Sequence, residues 1–362
     1  MVKAENGMPK KSMLSAQVDL SKFTCADFEP ATDEEKAQQE VMGESSTFFK
    51  DGIRRLMKNP LAVASLITLV VIVAVILIAP MFIPYDYSDI IKVGGKRDKS
   101  MSNLAPMAYS SAEEAYMDKT GEKLFPHIMG TDKLGRDYFV RVLYGTRVSL
   151  SVGCVAAIMV LVIGCIYGSI SGYFGGMVDM IMMRIVDIIY SLPDMLIIIL
   201  LSVVLKESLN LEGTFLAALG PNMVSMFIVF GLLYWVGMAR LVRGQILTVK
   251  QNEYVLAARC IGTKPGRILR KHVLPNCLSV IIISTALQVP SAIFTESYLS
   301  FLGMGVSAPM PSLGSLANAA REGLSSYPHL FIFPAVVICL IVLAFNLLGD
   351  GLRDAFDPKL QR

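Results

Sequence analysis

The chain has 362 residues, of which 54% are hydrophobic and only 17% charged, with a mean hydropathy of +0.55. A soluble domain of this length carries about a quarter charged residues, which excludes an ordinary soluble enzyme or binding module. The net charge of +3 says little by itself, and no nucleic-acid partner is expected.

In chain order, residues 1–46 are polar and of mixed charge, and read as a tail with at most a short exposed helix over "ATDEEKAQQE". The next stretch, "FFKDGIRRLMKNP", sets Phe48, Ile53 and Leu56 among basic residues. That pattern suits either an amphipathic segment on a membrane surface or a simple topological anchor. It belongs with the first apolar run, 61–83, in a unit spanning 47–84. The run starts too late for a cleavable signal peptide. Residues 85–147 form a long polar connection, hairpin-like in places, in which Asp132 and Arg136 stand at a spacing able to fix a turn.

Residues 148–350 hold five further runs, at 148–170, 185–205, 223–239, 278–295 and 330–348. Each is long enough to cross a bilayer, and continuous apolar runs predict helices rather than barrel strands. The expected fold is therefore an all-α membrane protein with six transmembrane helices. Pro193 and Asp194 interrupt the 185–205 run; the carboxylate either serves backbone groups freed by the proline or lines a path. Arg184 is placed to pair with Asp187 one turn on. Glycines 164, 168, 172, 175 and 176 predict close helix packing. Glu296, at the end of the 278–295 run, either hydrogen-bonds within the bundle or lines an outer vestibule. Residues 351–362 read as a second tail.

Lys and Arg set the orientation. Sixteen fall close to the apolar runs on one side, in 47–60, at Arg184, in 240–271 (eight of them) and in 351–362, against Lys206 and Arg321 in the short connections opposite. Both termini and the 244–276 loop are thus expected in the cytosol, with 85–147 outside. Six scattered cysteines without a C-x-x-C pair, and three separated histidines, predict neither a disulfide framework nor a metal site.

The loop contains "EYVLAARCIGTKPGRILRKHVLPN", 253–276. Tyr254, Ala257, Ala258 and Ile261 share a helical face by spacing, Gly262 suits the helix end, and Pro265 suits a second helix start. Leu274-Pro275 is expected to end that segment and start the next span. Two short helices at a glycine make a knob able to enter a groove on a partner; the alternative is an ordinary basic loop.

This stretch resembles the cytosolic signature loop of ABC-importer permeases, Glu-Ala-Ala, three residues, Gly, nine residues, Ile-x-Leu-Pro. Ala257, Ala258, Gly262 and Leu274-Pro275 match it, while Leu256 replaces the Glu and His272 the Ile. "GTDKLGRDYFVRVLYGTRVSLSVG", "SGYFGGMVDMIMMRIVDIIYSLPDML", "TESYLSFLGMGVSAPMPSLGSLANAAREGL" and "AFNLLGDGLRDAFDPKL" resemble the C-type permease of dipeptide, oligopeptide and nickel importers, with Leu313 for the usual tryptophan. The resemblance covers roughly 47–360 and implies a type I importer fold, an N-terminal helix plus a five-helix core. It implies a homologous B-type permease, two ATPase subunits gripping Glu253, Tyr254, Leu256, Ala257, Ala258, Gly262, Leu274 and Pro275, and an extracytoplasmic binding protein. ATP and Mg would bind the ATPase subunits, since this chain has no Gly-x-x-x-x-Gly-Lys-Ser/Thr loop and is expected to hold no cofactor. Peptides are the leading substrate; nickel chelates, opines or glycosides are the alternatives. A secondary carrier would need inverted repeats and broken helices around midplane ions.

Overall fold

Among the described residues of the computed structural model, 48–208, 219–306 and 309–356, regular structure is helical throughout. The expected tail 1–46 and the last six residues of the expected tail 351–362 lie outside them, whereas 351–356 is helical and not a tail; of residues 1–50 only Phe48–Lys50 are described, in the first turn of a helix.

That helix, α1 (Phe48–Leu56), leads into α2 (Pro60–Phe82). Proline at the first position suits a helix start, and the Asn59 side chain accepts from the Leu61 and Ala62 amides. Leu56 is not left on a membrane surface: it packs with Ala62 against Ala355 and Phe356. The connection carries α3 (Ser111–Thr120), so "SAEEAYMDKT" is helical rather than hairpin-like. Ser110 and Glu113 close a reciprocal cap at its start, and Gly121 ends it in the left-handed conformation.

The core follows: α4 (Tyr138–Phe174), α5 (Gly176–Tyr190), α6 (Asp194–Ser208), α7 (Gly220–Leu233), α8 (Trp235–Val249), α9 (Glu253–Cys260), α10 (Pro265–Ile268), α11 (Leu274–Phe301), α12 (Leu313–Ala320) and α13 (His329–Phe356). Five stretches are long and apolar enough to cross a membrane: α2, α4, Gly220–Val249, Pro265–Phe301 and α13. The sixth expected span is a bent pair, α5 and α6, which meet at 84°. An apolar run does not reveal whether it is straight; Pro193 denies the helix its bond and bends it. Helices α4 and α13 extend beyond their apolar runs, so the expected boundaries at 147 and 350 fall inside helices.

Helix α4 is the central post, packed on α8, α11, α7, α5 and α2. Its glycines explain the closeness of α8. A Cβ at Gly168 would lie 2.4 Å from the Ala239 carbonyl oxygen, and one at Gly164 would lie 2.6 Å from Met238 Cβ. Gly172 repeats this against Ile246, so the three form one small-residue stripe. On other faces α4 buries Val148, Val152 and Ala156 against Ile198, Phe230, Ala292 and Leu299. Helix α2 packs on α13, where Gly351 admits Ala62.

Candidate functional site

The 253–276 loop folds back on the end of the bundle. Val255 and Ala258, three residues apart, turn inward and pack with Val249, Ile268, Val273 and Cys277. Ala258 therefore does not share the outward face expected of it, because the inner stripe is set by the tertiary neighbours. Glu253, Tyr254, Leu256 and Ala257 are exposed, and Ile261 is 82% exposed. The tip is thus apolar within a basic surround.

The end of α9 is closed by two backbone bonds: the Thr263 amide donates to the Ala258 carbonyl (3.1 Å) and the Gly262 amide to that of Arg259 (2.9 Å). Such a close requires a left-handed residue, and Gly262 has φ +76 with open space where a Cβ would stand. The glycine serves the backbone, not a tight approach. Pro265 starts α10, as the sequence suggests.

Leu274-Pro275 starts the long apolar helix α11, as the sequence suggests for the next span, but no break in the helical path separates it from the segment before. Helix α10 passes through a π turn, Leu269–Val273, into α11, and the Leu274 amide reaches back to the Leu269 carbonyl. The wide turn shifts the bonding frame just before the proline, which then sits in the first turn of α11, where no amide is needed. Arg259 lies over the Tyr173 ring at 5.6 Å, tying α9 to the end of α4.

Two ion pairs fasten α8 near the same end. Arg243 holds Asp179 through Nε (2.5 Å) and a second nitrogen (2.6 Å), and the Ser171 hydroxyl also donates to Asp179. Arg240 holds Asp187 at 2.7 Å. The expected Arg184–Asp187 pair does not form, because the facing helix offers Asp187 a better-placed guanidinium.

At the α5–α6 bend, the Ser191 hydroxyl donates to the Ile188 carbonyl, serving the opened backbone there. Asp194 does not take that role: among the described residues no hydrogen bond or ion pair engages its carboxylate. It lines a cavity of about 280 Å³ with Tyr190, Tyr234, Gln288 and Ser291.

Glu296 is 0% exposed, so it lines no vestibule. Its carboxyl accepts from the hydroxyls of Ser149 (2.7 Å), Ser300 (2.7 Å) and Ser297 (3.3 Å). Ser312, which caps α12, donates to Ser300, and the Leu313 amide donates to Ser149. Glu296 is the hub that joins α4, α11 and α12, which decides between its two readings in favour of the structural one.

At the opposite end from the loop, Asp132 accepts from the Leu134 and Arg136 amides and from Arg136 Nε (2.7 Å), the turn its spacing predicts. A neighbouring buried cluster is not foreseen from residue spacing. His127 sits between Glu113 and Asp137, with each ring nitrogen 2.9 Å from a carboxylate oxygen, and the Tyr85 ring lies against it. Only an imidazolium donates from both nitrogens. Burial pulls the His127 pKa down, but the bonds to Asp137 and Glu113 outweigh it and raise it to about 9. Burial likewise pushes the Glu113 carboxyl up, and its bonds from His127 and the Ser110 amide bring it below the usual value.

Residues 161–362 match the family described as "Binding-protein-dependent transport system inner membrane component", and residues 47–106 match "N-terminal TM domain of oligopeptide transport permease C". The chain is 41% identical over 335 residues to the oligopeptide transport system permease protein OppC of Bacillus subtilis (strain 168), across 92% of this chain and 97% of that protein. It is 42% identical over 319 residues to the dipeptide transport system permease protein DppC of the same organism, 88% of each chain. With OppC of Escherichia coli (strain K12) it shares 38% over 325 residues, 90% of this chain and 96% of that one.

Proposed function

This chain belongs to the family of binding-protein-dependent transport system inner membrane components, and on that premise we propose that it is one permease subunit of an ATP-driven importer of oligopeptides or dipeptides. Relatives so named support the substrate class. A homologous permease completes the pathway, two ATPase subunits supply the energy, and a binding protein delivers the peptide. Both termini face the cytosol, on the Lys and Arg asymmetry.

The observation that carries the reading is the loop tip. Helix α9 presents Tyr254, Leu256, Ala257 and Ile261 outward while Val255 and Ala258 anchor it inward. A short, capped helix with an apolar outer face suits a groove on another subunit. Its seat on α10 and the π turn connects it without a loop to α11. The ATPase subunits grip that outer face; Gly262, Leu274 and Pro275 give the knob its shape.

The test is assembly. Ile261→Asp places a carboxylate on the most exposed apolar point of the tip, and the purified complex should then lose ATPase subunits and peptide uptake at unchanged membrane levels. Retention of both by Ile261→Asp together with Tyr254→Asp would refute the role of the tip. ATP hydrolysis by the isolated chain would refute the division of labour.

A further inference from the structure

The α5–α6 bend leaves a carboxylate where a membrane protein rarely leaves one. Asp194 lies within an apolar run, near mid-length of the bundle: its cavity partners are Tyr234, between α7 and α8, and Gln288 and Ser291, in the middle of α11. A bare carboxylate facing lipid is costly, and so is a bent backbone facing lipid. Both are tolerated where they line a watered path. The cavity wall agrees, since Gln288 and Ser291 stand on one face of α11 at three-residue spacing and add an amide and a hydroxyl.

The positive groups nearby are already engaged. Arg240 pairs with Asp187 and covers the Tyr190 ring at 4.2 Å, and Arg243 pairs with Asp179. The Tyr234 hydroxyl is bonded to Thr295. The Asp194 carboxylate itself has neither hydrogen bond nor counter-ion among the described residues. The cavity offers one negative charge, two aromatic rings and neutral polar groups, and that chemistry suits a small organic cation.

We infer that Asp194 and this cavity form a way-station that holds the α-ammonium group of a passing peptide, with Gln288 and Ser291 bonding the adjacent peptide unit. The inference rests on the permease reading. The α-ammonium is the cation every unmodified peptide shares, so one carboxylate recognises the class without reading side chains. A cavity of about 280 Å³ admits one terminal residue, leaving the remainder to extend along the path. The contact is weak enough to release, because only one charge pair is made in a watered site.

The test uses the assembled transporter without its binding protein, so that the selectivity of that protein is absent. Saturation-transfer NMR compares dialanine with N-acetyl-dialanine, which lacks the ammonium. The wild type should bind dialanine about tenfold more tightly. Asp194→Asn should remove that preference, and Asp194→Glu should keep part of it. Equal binding of both probes by the wild type, or a preference that survives in Asp194→Asn, overturns the site. If Asp194→Asn does not assemble, the wild-type comparison and Asp194→Glu still decide. Failure of the permease reading shows separately, as wild-type protein that neither copurifies with ATPase subunits nor supports peptide uptake.

Discussion

His127 is the sharpest point at which to probe the 85–137 connection. Replacing it by Ala leaves the carboxylates of Glu113 and Asp137 buried together, each having lost a partner 2.9 Å away. Breaking a buried ion pair from one side costs about 3–5 kcal/mol. The pKa of His127 gives an independent magnitude: a rise from 6.5 to about 9 corresponds to roughly 3 kcal/mol. The sign follows from the direction. A raised folded pKa means the stabilisation is fully present below 6.5 and is lost as pH climbs through about 9. Glu113 acts oppositely: its lowered pKa gives stabilisation above 4.5 that is lost as pH falls. The clasp is therefore strongest between about pH 5 and 6.5.

The change should be local, because the cluster ties Ser110–Glu113 to the turn at His127–Gly130 and to the cap of α4. Hydrogen exchange followed by mass spectrometry reads it directly. In His127→Ala, protection of the amides of Met107 and Gly130, which donate to the His127 carbonyl, should fall about a hundredfold at pH 6. In the wild type it should fall as pH rises from 7 to 10, after correction for intrinsic exchange. Protection in His127→Ala within threefold of wild type, or wild-type protection flat across that range, would refute the imidazolium clasp.

Gly168→Leu should force α8 off α4, since even a Cβ there lies 2.4 Å from the Ala239 carbonyl oxygen. The outcome to look for is loss of monodisperse protein on size exclusion, with Gly168→Ala milder at about 1–3 kcal/mol; a normal Gly168→Leu profile would contradict the packing. Ala258→Arg should lower the melting temperature of the purified chain, because Ala258 is buried, whereas Ala257→Arg should melt normally yet fail to hold ATPase subunits. Equal melting of the two would place Ala258 on the outer face after all. Cys260 is exposed on α9 and should react with an impermeant maleimide only after cells are opened; labelling in intact cells would invert the topology.

The features legible in the sequence are those a short window decides. Apolar runs located the five long helices, while the 185–205 run fell across the bend between α5 and α6; Gly262 before Pro265 marked a helix end and a helix start that the backbone reproduces. The glycines at four-residue spacing on α4 announced a close neighbour, though not that it would be α8. Where a window offered two answers, distant residues chose. Spacing alone allowed Ala258 to join Tyr254 and Ile261 or Val255; Ile268, Val273 and Cys277 selected Val255. Local spacing gave Asp187 to Arg184, but Arg240, 53 positions away, took it. His127 carried no local signal, because its partners stand 14 and 10 residues off. The one available hint was the Ser110–Glu113 capping pattern, which foretells α3 but not the use of the Glu113 carboxylate.

One element links the loop tip to the cavity. The run from Pro265 to Phe301 is helical throughout. Ile268 and Val273 lie beneath α9, Gln288 and Ser291 face Asp194, and Glu296 is bonded to α4 and to the serines that cap α12. This helix is fixed by a buried hydrogen-bonded hub at one end and seated under the knob at the other, so on the proposed function it is the element that would carry displacement between them. Its two irregular points are the π turn and Pro290, on either side of the inner half of the helix. The α6 side of the cavity is held differently, by packing on α7 and, among the described residues, with no side-chain bond at Asp194. The cavity therefore has one wall continuous with the helix seated under the knob and another held by packing, so on the proposed function a push on α9 is expected to act on the first wall more directly than on the second.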